Sequence, residues 1–161
     1  MFGRGVMRTG AAGPAGDGCE LCATPGGDLL WCDDRLRIVR VDDADYPGFL
    51  RVIWQAHVRE MSDLDPERRS GLLDAVFAAE RAVLDLLHPD KVNLASLGNM
   101  TPHLHWHVIP RFRGDPHFPD PIWAARRGGR PVPLPMSATD YGSAVAHAIA
   151  LALGPSMPRT A

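Results

Sequence analysis

The chain has 161 residues, a length that suits one domain. Apolar residues make up 45% and charged residues 22%, ordinary values for a globular protein. A formal net charge of −2 gives no field to steer the chain to nucleic acid or anionic membranes, and no apolar run approaches the roughly 18 residues of a membrane span.

Residues 1–18 are rich in glycine and poor in apolar side chains, and they read as a disordered leader. They lack the apolar stretch of a secretory signal, which points to the cytoplasm. Three cysteines, an odd number, argue against a disulfide framework. Cys19 and Cys22, in Cys-x-x-Cys spacing, are half of a metal clip or two plain thiols. The run Pro25-Gly26-Gly27-Asp28 is a turn.

Residues 29–32 and 36–41 read as strands joined by Asp33-Asp34, the second carrying the β-branched Ile38, Val39 and Val41. Asp42, Asp43 and Asp45 then form an acidic turn before Pro47-Gly48. Residues 49–54 (F-L-R-V-I-W) form another strand, and His57 follows it. Asp65-Pro66 starts the main helix, as N-cap and first helical residue. Leu72, Val76, Ala79, Val83 and Leu86 recur at three- and four-residue steps along one face, and His88-Pro89 ends the helix.

Residues 92–97 form a strand, and a five-residue loop turns the chain back into its antiparallel neighbour. That neighbour carries H-L-H-W-H-V-I. Side chains alternate across a strand, so His103, His105 and His107 face one way and Leu104, Trp106 and Val108 the other. Pro110 closes this strand near a sheet edge. Residues 111–123 hold too many prolines for regular structure. Residues 140–153 suit a helix, with Val145, Ile149 and Leu153 at four-residue steps, and 154–161 form a frayed tail.

A stripe of three imidazoles has little use as scaffold. A metal-dependent oxygenase would require a carboxylate close by, and no Asp or Glu lies between Lys91 and Arg113. A histidine nucleophile flanked by supporting groups fits better. The segment from His103 to Ile109 resembles the His-φ-His-φ-His-φ-φ pattern of the histidine triad (HIT) family. The resemblance extends to Cys19-Glu20-Leu21-Cys22, to Asp42–Trp54 with its Pro47-Gly48, and to V-N-L-A-S-L-G-N-M-T-P before the triad, which is similar to a bacterial diadenosine tetraphosphate hydrolase-like branch. It covers roughly residues 19–123.

This resemblance implies an α+β fold, with an antiparallel sheet of about five strands, one long helix and one shorter helix. It implies a HIT domain over 19–125, a C-terminal extension over 126–161 with a helix, and a homodimer. The expected activity is that of a nucleotide hydrolase or nucleotidyl transferase. It would attack the α-phosphate of a nucleoside polyphosphate or phosphoramidate through a covalent nucleotidyl-histidine. A nucleotide-binding module with little turnover is the alternative. The resemblance makes His105 the nucleophile, oriented by the main chain of His103, with His107 at the phosphate oxygens or the leaving group. Asn99 and Thr101 are expected at the phosphate and Asp42 at the ribose. Cys19, Cys22, His57 and His103 would complete a structural zinc site, with no metal needed for the chemistry. Cys32 is left as a buried thiol without a partner. An unshifted imidazole would lose its lone pair below about pH 6.5, so activity would fall there.

Overall fold

The computed structural model describes residues 18–157; residues 1–17 of the expected leader and the last four residues lie outside them. A one-turn helix α1 (Glu20–Ala23) precedes three strands, β1 (Asp28–Cys32), β2 (Leu36–Arg40) and β3 (Leu50–Trp54). Helix α2 (Pro66–Leu87) leads to β4 (Lys91–Ala95), β5 (His105–Arg111) and α3 (Ala138–Leu153). The strands form one sheet of order β1-β2-β3-β5-β4, every pair antiparallel. Among the described residues no helix is long and apolar enough to cross a membrane.

Alternation divides the sheet into two faces. Ile38, Leu50, Val52, Trp54 and Val108 point to the helices and form the main core with Leu72, Val76, Ala79 and Val83 of α2 and Tyr141, Val145 and Ile149 of α3. Each such aliphatic side chain, taken fully out of water, contributes about 1.5–3 kcal/mol. Leu86, at the end of the predicted stripe, is only half-buried. The other face carries Arg51, Ile53, His105 and His107, where Arg51 pairs in register with His107 and Ile53 with His105. Two small apolar clusters flank these residues: Leu21, Val39 and Ile53 beneath α1, and Tyr46, Phe49 and Ile109 at the opposite end.

The helix ends follow the sequence. The Asp65 carboxylate accepts the Arg68 N–H at 2.8 Å, Pro66 takes the first helical position, and His88 terminates α2 in a left-handed conformation. The Ser137 hydroxyl accepts the Asp140 N–H as N-cap of α3, so the helix starts at Ala138, two residues before the expected 140. The turn before β1 depends on glycine. Gly27 has φ +153°, and a Cβ there would lie 2.3 Å from the Arg40 carbonyl oxygen.

Three expectations are corrected. Strand pairing begins at His105, so His103 precedes β5 instead of starting a three-histidine strand. Pro110 lies in an interior strand, but β3 pairs only as far as Val108, so no ladder bond from β3 is lost at the proline. The C-terminal tail is docked along β1 as far as Met157. Trp31 Nε1 donates to the Gly154 carbonyl at 2.9 Å, the Met157 N–H donates to the Cys32 carbonyl at 2.8 Å, and the Cys32 thiol donates to the Met157 carbonyl at 3.1 Å. Cys32 is therefore buried with a partner.

Candidate active site

His105 and His107 are two residues apart on β5 and face one cleft of about 410 Å³. Their rings are perpendicular, with centroids 4.8 Å apart. Asn99 and Thr101, from the β4–β5 loop, line the same cleft, together with Leu97, Met100, Glu20, Leu21, Arg51 and Trp123. Four of the expected residues thus come together. His103 meets His105 through its backbone, while its ring belongs to another cluster. Asp42 is exposed in the turn after β2 and does not line the cleft.

Nδ1 of His105 lies 2.5 Å from the carbonyl oxygen of His103. A carbonyl only accepts, so Nδ1 carries the proton and Nε2 holds the lone pair. Burial lowers the pKa of His105, the bond to His103 partly offsets this, and the Arg51 charge adds to the lowering. His107 is held at about 3 by burial, by His105 and by Arg51. Both shifts run below the ordinary imidazole value and favour the neutral rings, so the acid limit lies lower than that expected of an unshifted imidazole. Nδ1 of His107 is buried without a hydrogen-bond partner. The ring is wedged between His105, Phe49 at 5.4 Å and Trp123 at 5.1 Å, centroid to centroid.

A second cluster adjoins the first. The one-turn helix α1 brings Cys19 and Cys22 to one side, since residues three apart share a helix face. Beyond β3, the Leu104 N–H donates to the Val58 carbonyl, which holds His57 beside His103. Nδ1 of His103 lies 3.4 Å from both cysteine sulfurs, and Nδ1 of His57 lies 3.3 Å from the Cys22 sulfur. All four donor atoms fall within 4.8 Å of one another, so the set can hold a metal ion. A tetrahedral ion with metal–sulfur bonds of about 2.3 Å and metal–nitrogen bonds of about 2.0–2.1 Å wants donors roughly this far apart. Nε2 of His103 donates to the Trp54 carbonyl at 2.7 Å, which leaves the Nδ1 lone pair facing the sulfurs.

Three residues that shape these sites escaped the sequence reading. Buried Arg37 donates to the carbonyls of Pro25 and Leu21 and to the Gln55 side chain, tying α1 to the sheet. Arg51 was legible as a lone charge in F-L-R-V-I-W. Trp123 sits eighteen residues beyond His105, and nothing in its local spacing reveals the return of the chain. His117 belongs to neither site: its Nδ1 lies 2.7 Å from the Tyr46 hydroxyl, in a buried network with Asp115 and Arg111.

Residues 27–114 match the HIT domain family. A histidine triad protein from Bradyrhizobium japonicum is similar in structure, with a TM-score of 0.63 and 30% identity over 76% of this chain and 91% of that one. A zinc-bound histidine triad family protein from Mycobacterium smegmatis shares the fold, with a TM-score of 0.59 and 23% identity over 84% of this chain and 95% of that one. An AP-4-A phosphorylase from Mycobacterium tuberculosis is 31% identical over 78 residues, 45% of this chain. The chain spans about 40% of that relative's length. The match over more than half of the chain, carried by a sheet with paired histidines on its open face, makes this protein a member of the histidine triad family.

Proposed function

We propose that the protein is a nucleotide hydrolase or nucleotidyl transferase that acts at the α-phosphate of a nucleoside polyphosphate or phosphoramidate. The observation that carries this reading is the bond from His105 Nδ1 to the His103 carbonyl, which leaves a neutral imidazole with its Nε2 lone pair available at the cleft. The lone pair attacks the α-phosphorus, a P–N bond forms, and the bond to the leaving group breaks with its electron pair departing on oxygen or nitrogen. Water then attacks the same phosphorus, the P–N bond breaks, and nucleoside monophosphate is released while a water proton passes to solvent or to the leaving base. Two displacements replace one difficult step. An inorganic phosphate oxygen in place of water would yield a nucleoside diphosphate. The similarity to an AP-4-A phosphorylase makes that acceptor worth testing.

His107 assists at the phosphate oxygens or the leaving group. The Asn99 amide donates to an oxygen where charge builds, worth about 2.7–4 kcal/mol at comparable sites, with Thr101 beside it. Cys19, Cys22, His57 and His103 would hold a zinc ion, and four protein donors would leave it no open position, which makes its role structural. We take 19–125 as the HIT domain, with 126–161 as an extension whose helix shares the core.

Incubation with a fluorogenic adenosine phosphoramidate and a dinucleoside polyphosphate, with and without chelator and inorganic phosphate, tests this. Turnover that survives brief chelation supports the histidine nucleophile. Binding without turnover supports the module. Immediate, fully reversible loss with chelator would mean a catalytic metal and overturn the proposal.

A further inference from the structure

The cleft has two chemically different flanks. On the loop side stand Leu97 and Met100 with the Trp123 ring, an apolar and aromatic wall suited to a nucleoside. On the β3 side stands Arg51, the cross-strand partner of His107. Its Nη1 donates to the Gly26 carbonyl at 3.2 Å, and its guanidinium carbon sits 6.0 Å from the Phe49 ring centroid. These contacts fix the side chain without neutralising it. Its Nε is buried and has no hydrogen-bond partner. Among the described residues Arg51 forms no ion pair, and Glu20, an exposed residue of α1, is the acidic residue that shares the cleft with it.

Nη2 of Arg51 makes no hydrogen bond among the described residues, and a half-buried cation with uncommitted donors is costly unless a ligand in the cleft supplies an acceptor to Nη2. A planar guanidinium suits phosphate oxygens better than any neutral acceptor. With the α-phosphate over His105 and the nucleoside toward Trp123, the anion left for Arg51 is the one beyond the α-phosphate. We propose that Arg51 binds an anionic oxygen of the leaving group, which assigns the cleft to nucleoside polyphosphates in preference to phosphoramidates with amine leaving groups. This rests on the function proposed above only for which side of the α-phosphate Arg51 contacts.

Arg51→Gln and Arg51→Lys test the assignment in two ways. The first is binding, which needs no turnover: titrate wild type and both variants with AMP and with adenosine 5′-(α,β-methylene)triphosphate. Wild type is expected to prefer the triphosphate analogue, and Arg51→Gln to lose about 10- to 100-fold of that preference, the worth of hydrogen bonds to a charged group. Arg51→Lys, which keeps the charge, should recover part of it. The second is the ratio of kcat/KM for a dinucleoside polyphosphate to that for a phosphoramidate, which should fall by a similar factor in Arg51→Gln. Thermal melting checks that the variants fold. An unchanged affinity gap in folded Arg51→Gln, equal losses for AMP and the analogue, or no nucleotide binding by wild type would each overturn the proposal. Intact binding preference with no turnover would leave Arg51 assigned and sink the nucleophile instead.

Discussion

His103 serves two sites at once: its carbonyl oxygen lies 2.5 Å from Nδ1 of His105, and its own Nδ1 lies 3.4 Å from the sulfurs of Cys19 and Cys22. Its remaining ring nitrogen is tied to the Trp54 carbonyl. The residue whose carbonyl orients His105, the proposed nucleophile, is thus held by the cluster that can bind a metal. Whatever fixes that cluster also fixes the tautomer of His105.

The first prediction concerns the metal. Purified protein should contain about one zinc per chain, and Cys19→Ser should lower both zinc content and melting temperature. Prolonged chelation should cost stability first and activity only as His103 loosens. A metal-free protein with an unaltered melting curve would refute the assignment.

Proton linkage at His107 gives the second. Its pKa is about 3 in the folded chain, against the ordinary 6.5 of the unfolded one. Between those values the unfolded state binds a proton that the native state does not, so stability falls as pH drops through this window. Denaturant titrations at pH 7, 6, 5 and 4 should show that decline, and a shallower one in His107→Gln. Parallel curves for the two proteins would contradict the burial argument.

The third concerns the network behind the site. Arg111 Nε lies 2.7 Å from the Asp115 carboxylate, with both side chains almost wholly buried. Burial pushes the Asp115 carboxyl up, but hydrogen bonds from Arg111 and from the backbone of His117 and Phe112 outweigh it and hold it at about 2. Asp115→Ala leaves a buried, uncompensated guanidinium and should cost about 3–5 kcal/mol in chemical denaturation. A loss below about 1 kcal/mol, the level of an exposed pair, would refute it.

Assembly is the fourth. Light scattering at micromolar concentration should give twice the mass of one chain. A monomer throughout would end the homodimer proposal.

Much of the sheet was legible because its strands are short apolar and β-branched runs bounded by turn residues, the histidine segment alternates, and α2 carries both a capped start and an apolar stripe. His105 and His107 were legible as chemistry because a strand needs no imidazoles for stability. The cysteines could be joined to His57 and His103 only through the family resemblance, since nothing local to Cys19 tells how close residue 103 returns. The course of the tail beyond Leu153 was hidden because its hydrogen bonds run to Trp31 and Cys32 at the other end of the sequence. Arg51 was visible as an odd charge, but its unpaired Nε is a property of the packed cleft.

The central claim is that His105 becomes covalently bonded to phosphorus. His105→Asn should retain the fold while turnover falls by several orders of magnitude. His107→Asn should cost about 10²- to 10⁴-fold, the range of assisted proton transfer. The most direct measurement is to mix wild-type protein briefly with α-labelled nucleotide, quench without acid, and map the acid-labile adduct by peptide mass. The account predicts a nucleotidyl group on the peptide carrying His105 and none in His105→Asn. An adduct on His107 or His117, or full turnover by His105→Asn, would contradict it.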